Sequence, residues 1–202
     1  DALGQRLASD GMMSMAAPDS LVVEDVLESE EALVASLGRK HRYHQVRHVA
    51  PFNDAYRVEV VQGGSRDLSD AEVARLYGLY ENVRAQNLEL NMFPLPKAFL
   101  RAVASAPGWE LLVFHAKSAP DRGPVCFLAS HIGSETYTPL ITGLDYEFVR
   151  TQGLYRQMLR HGTLRARALG RRRVCFGFGS SLEKRRFGAR PHSGTMFLEA
   201  DD

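Results

Sequence analysis

Residues 134–190 read SETYTPLITGLDYEFVRTQGLYRQMLRHGTLRARALGRRRVCFGFGSSLEKRRFGAR, and the order of elements in this run decides the fold. Thr136 to Leu144 is an apolar run of strand length. Leu154, Tyr155, Met158, Leu159, Ala166 and Leu169 recur at helical spacing while Arg156, Arg160, Arg165 and Arg167 take the other face. This predicts an amphipathic helix over 154–169, ended by Gly170. Val174 to Phe178 gives the next strand, and Ser180 or Ser181 caps a short helix that carries Lys184. A helix opening at Gly153, just after Arg150, presents unpaired N–H groups and a partial positive charge, and both suit a phosphate. An ordinary loop with a Gly that begins a helix has the same spacing, so Val149 to Tyr155 is either a cradle or a plain helix start.

Upstream, the period is that of strands. Trp109 to Ala116 and Pro124 to Ile132 are apolar runs between turn-rich segments, and with 136–144 they form a meander. Before them, Ser69 with Glu72 three residues on is a capping box in front of Val73, Leu76, Tyr77, Tyr80 and Val83, one face of a long helix. Pro94 and Pro96 break it, and Lys97 to Ala104 forms another short helix. Ala55 to Val61 alternates as a half-buried strand. Ser29 caps a helix through Leu33 and Leu37, followed by a half crowded with base: Arg39, Lys40, His41, Arg42, His44, Arg47 and His48. Residues 20–24 are a short extended segment, and a last strand spans about Thr195 to Glu199. This order predicts a mixed α/β (α+β) sheet, mostly antiparallel, with helices on both faces.

The 202 residues, 45% of them hydrophobic, are enough for a full core. The net charge of +1 says little, but its distribution is uneven: residues 147–192 hold 12 Lys or Arg against Glu147 and Glu183, while Asp and Glu crowd 19–31. A polyanionic ligand near the C-terminal half fits that asymmetry. Cys126 and Cys175 sit singly in apolar runs, the pattern of reduced core thiols in a cytoplasmic protein. There is no apolar run long enough for a membrane span and no signal-peptide pattern. The chain starts at Asp1 and ends in charge soon after a strand, so it reads as a piece of a longer protein.

Other chemistries lack their signatures. Gly177-Phe178-Gly179 has Leu182 where a dinucleotide fingerprint needs its third Gly, and no G-x-S-x-G elbow occurs. His41, His44 and His48 share a helix face, but the bases among them repel a cation, so no metal is expected. His115 and His131 end apolar strands, as rim residues or as a general base. Asp145 follows Gly143-Leu144 at a strand end, as a ligand-facing acid or as a helix cap. Arg171 to Arg173 and Lys184 to Arg186 are basic clusters without interleaved stacking aromatics.

From Leu140 to Pro191 the chain resembles the GNAT superfamily of acyl-CoA N-acyltransferases, in particular the subgroup similar to Fem-type peptidoglycan aminoacyltransferases. The likeness lies in Gly143-Leu144-Asp145 closing the central strand, Gly153-Leu154-Tyr155 opening the helix, and Val174-Cys175-Phe176-Gly177 leading to Lys184 and Phe187-Gly188-Ala189-Arg190-Pro191. The basic helix near the start is similar to that of such domains, which extends the resemblance from about Val22 to the C-terminus. The family's phosphate loop is Arg or Gln, two residues, Gly, one residue, then Gly or Ala. Arg150 and Gly153 match, but Tyr155 stands in the last small position.

The resemblance implies a splayed sheet and attack by a neutral amine on a thioester carbonyl. The donor, acetyl-CoA or a longer acyl-CoA, would lie along Leu140, Ile141 and Thr142, whose N–H groups polarise the carbonyl, and its phosphates would meet Arg150, Thr151, Gln152, Gly153, Leu154 and Tyr155. Asp145 or His131 would orient or deprotonate the amine, and Lys184 would assist the oxyanion or the phosphate. The acceptor is then a small-molecule amine. The same fold with an aminoacyl-tRNA or an acyl carrier protein as donor is an alternative, and a binding module without chemistry is another. Residues 1–50 read as an N-terminal extension with the basic helix, and 51–202 as the acyltransferase domain, one unit that other domains of a larger protein would flank. Loop 119–124 and the residues near Met92 to Pro96 would shape the pocket.

Overall fold

The computed structural model describes residues 2–86 and 94–199; Met92, named above for the pocket, lies outside them. Seven strands form one sheet in the order β2-β3-β4-β5-β6-β1-β7: β1 (Met13–Val23), β2 (Tyr56–Gln62), β3 (Trp109–Ala116), β4 (Pro124–Ile132), β5 (Thr136–Leu144), β6 (Arg173–Cys175) and β7 (Arg190–Leu198). Every pairing is antiparallel except that of β5 with β6. The sheet is mixed, as expected, and β3 to β5 are the expected meander, which β2 extends by pairing with β3.

Both faces are covered, which is why β3 and β4 read as unbroken apolar runs. Leu111 and Val113 of β3, with Phe127 and Ala129 of β4, pack under α4 (Asp70–Gln86) and α5 (Ala98–Ser105). Leu112 and Phe114, with Cys126 and Leu128, face α7 (Leu154–Ala168). The capping box holds α4 at its start: the Ser69 N–H donates to Glu72 Oε2 (2.8 Å) and the Glu72 N–H donates to Ser69 Oγ (3.3 Å). Arg66 beside it draws the Glu72 carboxyl down to about 2.

The first fifty residues depart from an appended extension. β1 runs eleven residues, not five, and lies inside the sheet between β6 and β7. The Ala16-Ala17-Pro18-Asp19 stretch has no apolar alternation and no buried face of its own; ladder pairs with β7 on either side, Ala17 with Gly194 and Ser20 with His192, hold it extended around an irregularity at Pro18 and Asp19. After α1 (Ala2–Ser9) and β1, the expected helix from Ser29 is two pieces, α2 (Glu30–Ser36) and α3 (Arg39–His44). The Ser29 hydroxyl does accept from Ala32 N (3.1 Å), but Leu37 and Gly38 are extended and break the rod. α3 continues through a π turn (Gln45–Val49) into a short 3-10 turn ending at Phe52.

Candidate functional site

β5 and β6 pair at two rungs only, Thr136 with Arg173 and Tyr137 with Val174. Beyond them β5 continues to Leu144, while β6 ends and its chain turns to β1: the Phe176 N–H donates to Leu21 O (2.8 Å) and the Leu21 N–H to Gly177 O (3.0 Å). A crevice therefore opens at the C-terminal ends of the one parallel pair, where the sheet reverses direction. Along it, among the described residues, the outer edge of β5 from Thr138 to Leu144 pairs with no strand; the Leu144 carbonyl accepts from Asn82 Nδ2 (3.1 Å), and the other outward polar groups are left for a ligand.

A bulge sits on that edge. Ala129 pairs with Ile141 and Ser130 with Pro139, which leaves Leu140 as the extra residue. The insertion inverts the alternation of side chains. Tyr137 and Pro139 face α7 before it; Thr142 and Leu144 do so after it, Thr142 Oγ1 lying 2.8 Å from Phe127 O and 3.0 Å from Met158 Sδ. Gly143 is thereby turned to α4, where a Cβ would lie 2.4 Å from the Phe127 ring and 2.8 Å from Leu79 backbone. No other residue fits there.

The turn expected before Gly153 is a helix, α6 (Tyr146–Gln152), which corrects the loop geometry. Arg150, Thr151 and Gln152 lie on it, so their N–H groups serve its own ladder, and the Gly153 N–H donates to Phe148 O. Thr151 Oγ1 donates to Glu147 O (2.7 Å) and Gln152 Nε2 to Ser118 Oγ (2.8 Å). Gly153 is left-handed (φ 59°), and a Cβ there would meet the Phe52 ring at 3.2 Å. What remains for an anion is the first turn of α7, where the N–H groups of Leu154, Tyr155 and Arg156 have no intrahelical acceptor. Arg150 is exposed and has no ion pair among the described residues.

Tyr155 lies in the first turn of α7, partly buried against the core. Burial pushes its phenol up, a hydrogen bond with Ser180 opposes the rise, and Glu183 and Tyr146 add to it. It is thus within electrostatic reach of both walls: Tyr146 follows β5, whereas Ser180 and Glu183 follow β6.

The three expected catalytic side chains are not brought together. His131 pairs with Thr138 near the hairpin, whereas Asp145 follows Leu144 at the open end, roughly 20 Å along the strands. His131 is exposed and stacks edge-on to Trp109. Asp145 caps α6, Oδ1 accepting from Glu147 N (3.1 Å), while Oδ2 lies 2.9 Å from Arg122 Nη2 and 3.7 Å from Arg75 Nη2. Lys184, on α8 (Ser181–Arg186), is buried, and its ammonium donates to the carbonyls of Phe176 (2.7 Å), Gly177 (3.3 Å) and Phe178. All three of its donors are spent on shaping the 176–178 wall. Burial lowers its pKa to about 8.

One polar group at the mouth escaped sequence reasoning as a unit. Glu183 gathers Arg156 (3.2 Å), Arg186 and buried His44 (3.5 Å). Arg186 Nη1 lies 3.3 Å from His44 Nε2, and the buried Nδ1 has no hydrogen-bond partner among the described residues. The shared helix face of His41, His44 and His48 was visible in the sequence; the partner 139 residues away was not. Among the described residues no three His, Cys, Asp or Glu converge as a metal site.

The model of the acetyltransferase (GNAT) domain family matches residues 26–185. No curated protein matches. Among solved structures, FemX superposes with a TM-score of 0.66 at 9% identity, over 96% of this chain and 67% of that one. L-PGS from Bacillus licheniformis gives 0.58 at 10%, over 88% and 50%. A GCN5-related N-acetyltransferase from Kribbella flavida gives 0.50 at 17%, over 97% and 62%. The likeness is one of fold, and the chain spans half of L-PGS and about two-thirds of FemX.

Proposed function

The chain belongs to the acetyltransferase (GNAT) domain family, and on that footing we propose an N-acyltransferase that moves an acyl group from acyl-CoA to an amine in the crevice between β5 and β6. The observation that carries this is the unpaired, bulged edge of β5 beyond Tyr137. The amides of a pantetheine arm add to such an edge as an extra strand does. Free N–H groups about the Leu140 bulge then face the thioester oxygen and gain most from it as charge develops.

A neutral amine attacks the carbonyl carbon, the C–N bond forms, and the C–S bond breaks. The Tyr155 phenol, kept protonated by burial, gives its proton to the leaving thiolate and regains one from the ammonium through solvent, so protons balance. Asp145 and Lys184 act here as positioning residues, the first holding the start of α6 and the second the opposite wall. The diphosphate of CoA falls to the first turn of α7 and to Arg150.

A second donor, an aminoacyl-tRNA or an acyl carrier protein, is favoured by one observation: α6 uses the N–H groups a phosphate loop would offer, and Phe52 covers Gly153. Thermal unfolding separates the two. Acyl-CoA at a hundred times its Kd adds about 2.7 kcal/mol, a rise of roughly 5 to 10 °C for this size of chain. A rise with charged tRNA or acylated carrier and none with any acyl-CoA would move the assignment to the second donor.

A further inference from the structure

We propose that the outer faces of α3 with its π turn, and of α8 with the loop before it, seat this domain on an anionic lipid bilayer with the crevice mouth toward the headgroups. The two elements form one surface: Gln45 Nε2 donates to Arg186 O (2.8 Å), and Leu37 lies against Gly188. At helical spacing Arg39, Arg42, Tyr43, Val46 and Arg47 share the outward side of the first element, while His44, Gln45 and Val49 turn inward. Tyr43 is 65% exposed, Val46 68%, Leu182 60% and Phe178 44%.

Charge and apolarity coincide on this surface. Residues 38–52 contain no carboxylate, and Glu183, the single one on α8, faces inward to Arg156, Arg186 and His44. Arg39, Lys40, Arg47 and Arg185 have no ion pair among the described residues. A bilayer takes both halves: the bases reach lipid phosphates, and Tyr43, Val46, Leu182 and Phe178 enter the boundary beneath. An RNA backbone has no use for exposed Val46 and Leu182, and convex helix faces offer a peptide no groove. The surface adjoins the mouth through Glu183 of α8, which pairs with Arg156 in the first turn of α7 (3.2 Å), and it stands independently of which donor the crevice takes.

Vesicle co-sedimentation of the chain tests this. Binding to phosphatidylglycerol-containing vesicles, weak or absent on pure phosphatidylcholine and lost as salt shortens the screening length, is expected. Combined Arg39→Gln, Lys40→Gln and Arg47→Gln lowers affinity about fivefold per charge, on the order of a hundredfold together. Val46→Ser with Leu182→Ser also weakens binding but keeps the salt dependence. All five positions are exposed, and unchanged melting temperatures confirm intact folds. No binding to anionic vesicles at low salt overturns the proposal. So does full binding by the serine variant, or displacement of vesicles by tRNA or an acidic carrier protein, either of which assigns the face to a polyanion.

Discussion

Tyr137 faces Val174 across the last rung that β5 shares with β6, and its hydroxyl donates to Glu110 Oε1 at 2.8 Å. The closed end of the crevice is thus pinned from below. Arg165 of α7 binds the same carboxylate through Nε (2.9 Å) and Nη2 (2.7 Å). Glu110 is fully buried, so its charge is tolerable only with these partners. Glu110→Gln is expected to cost about 3 to 5 kcal/mol, and Tyr137→Phe about 1, in urea unfolding. Equal effects of the two would deny that the ion pair dominates.

Gly143 tests the bulge. With its Cβ position filled by Phe127 and Leu79, Gly143→Ala must push α4 off β5. A loss of about 1 to 3 kcal/mol or more is expected. A neutral effect on the denaturant midpoint would show that the inverted register after Leu140 is wrong.

Burial pushes the imidazoles of His44 and His161 from 6.5 to about 4. The unfolded chain then binds more protons than the folded one between those values, so stability is full above pH 6.5 and falls as pH drops toward 4. His161 stacks edge-on to Phe114, and His161→Phe should flatten part of that slope. Stability that stays constant from pH 7 to 4.5 would contradict the buried neutral state.

Asp145→Asn keeps the cap on α6 but loses the solvent-screened pair with exposed Arg122. Near-full turnover is expected, whereas Tyr155→Phe should lower kcat by about 10²-fold or more with little change in melting temperature. The reverse ranking would return the proton chemistry to Asp145.

Local signals made much of this legible. The α7 stripe, the Ser69–Glu72 box and the strands 109–116, 124–132 and 136–144 fall where periodicity and caps put them, because each element buries a face of its own. α6 was hidden, since seven residues between Asp145 and Gly153 look like a loop. β1 was hidden because its extension depends on β7, where Met13 pairs with Leu198 and Ala17 with Gly194. The site suffered most. Strand ends mark Asp145 and His131 as candidates, yet only the register shows that they stand at opposite ends of one hairpin. Likewise Lys184 looks free until Gly177 and Gly179, at φ 62° and 68°, fold the 176–178 carbonyls around it.

The central claim is that the donor's acyl arm lies on the free edge of β5. Amide hydrogen exchange, resolved along 138–144 with and without saturating acyl-CoA, measures this directly. Slowed exchange at the amides from Leu140 to Leu144 that lack a β4 acceptor is the result the geometry requires. Saturation that leaves those amides exchanging at their free rates, with protection elsewhere, would contradict it.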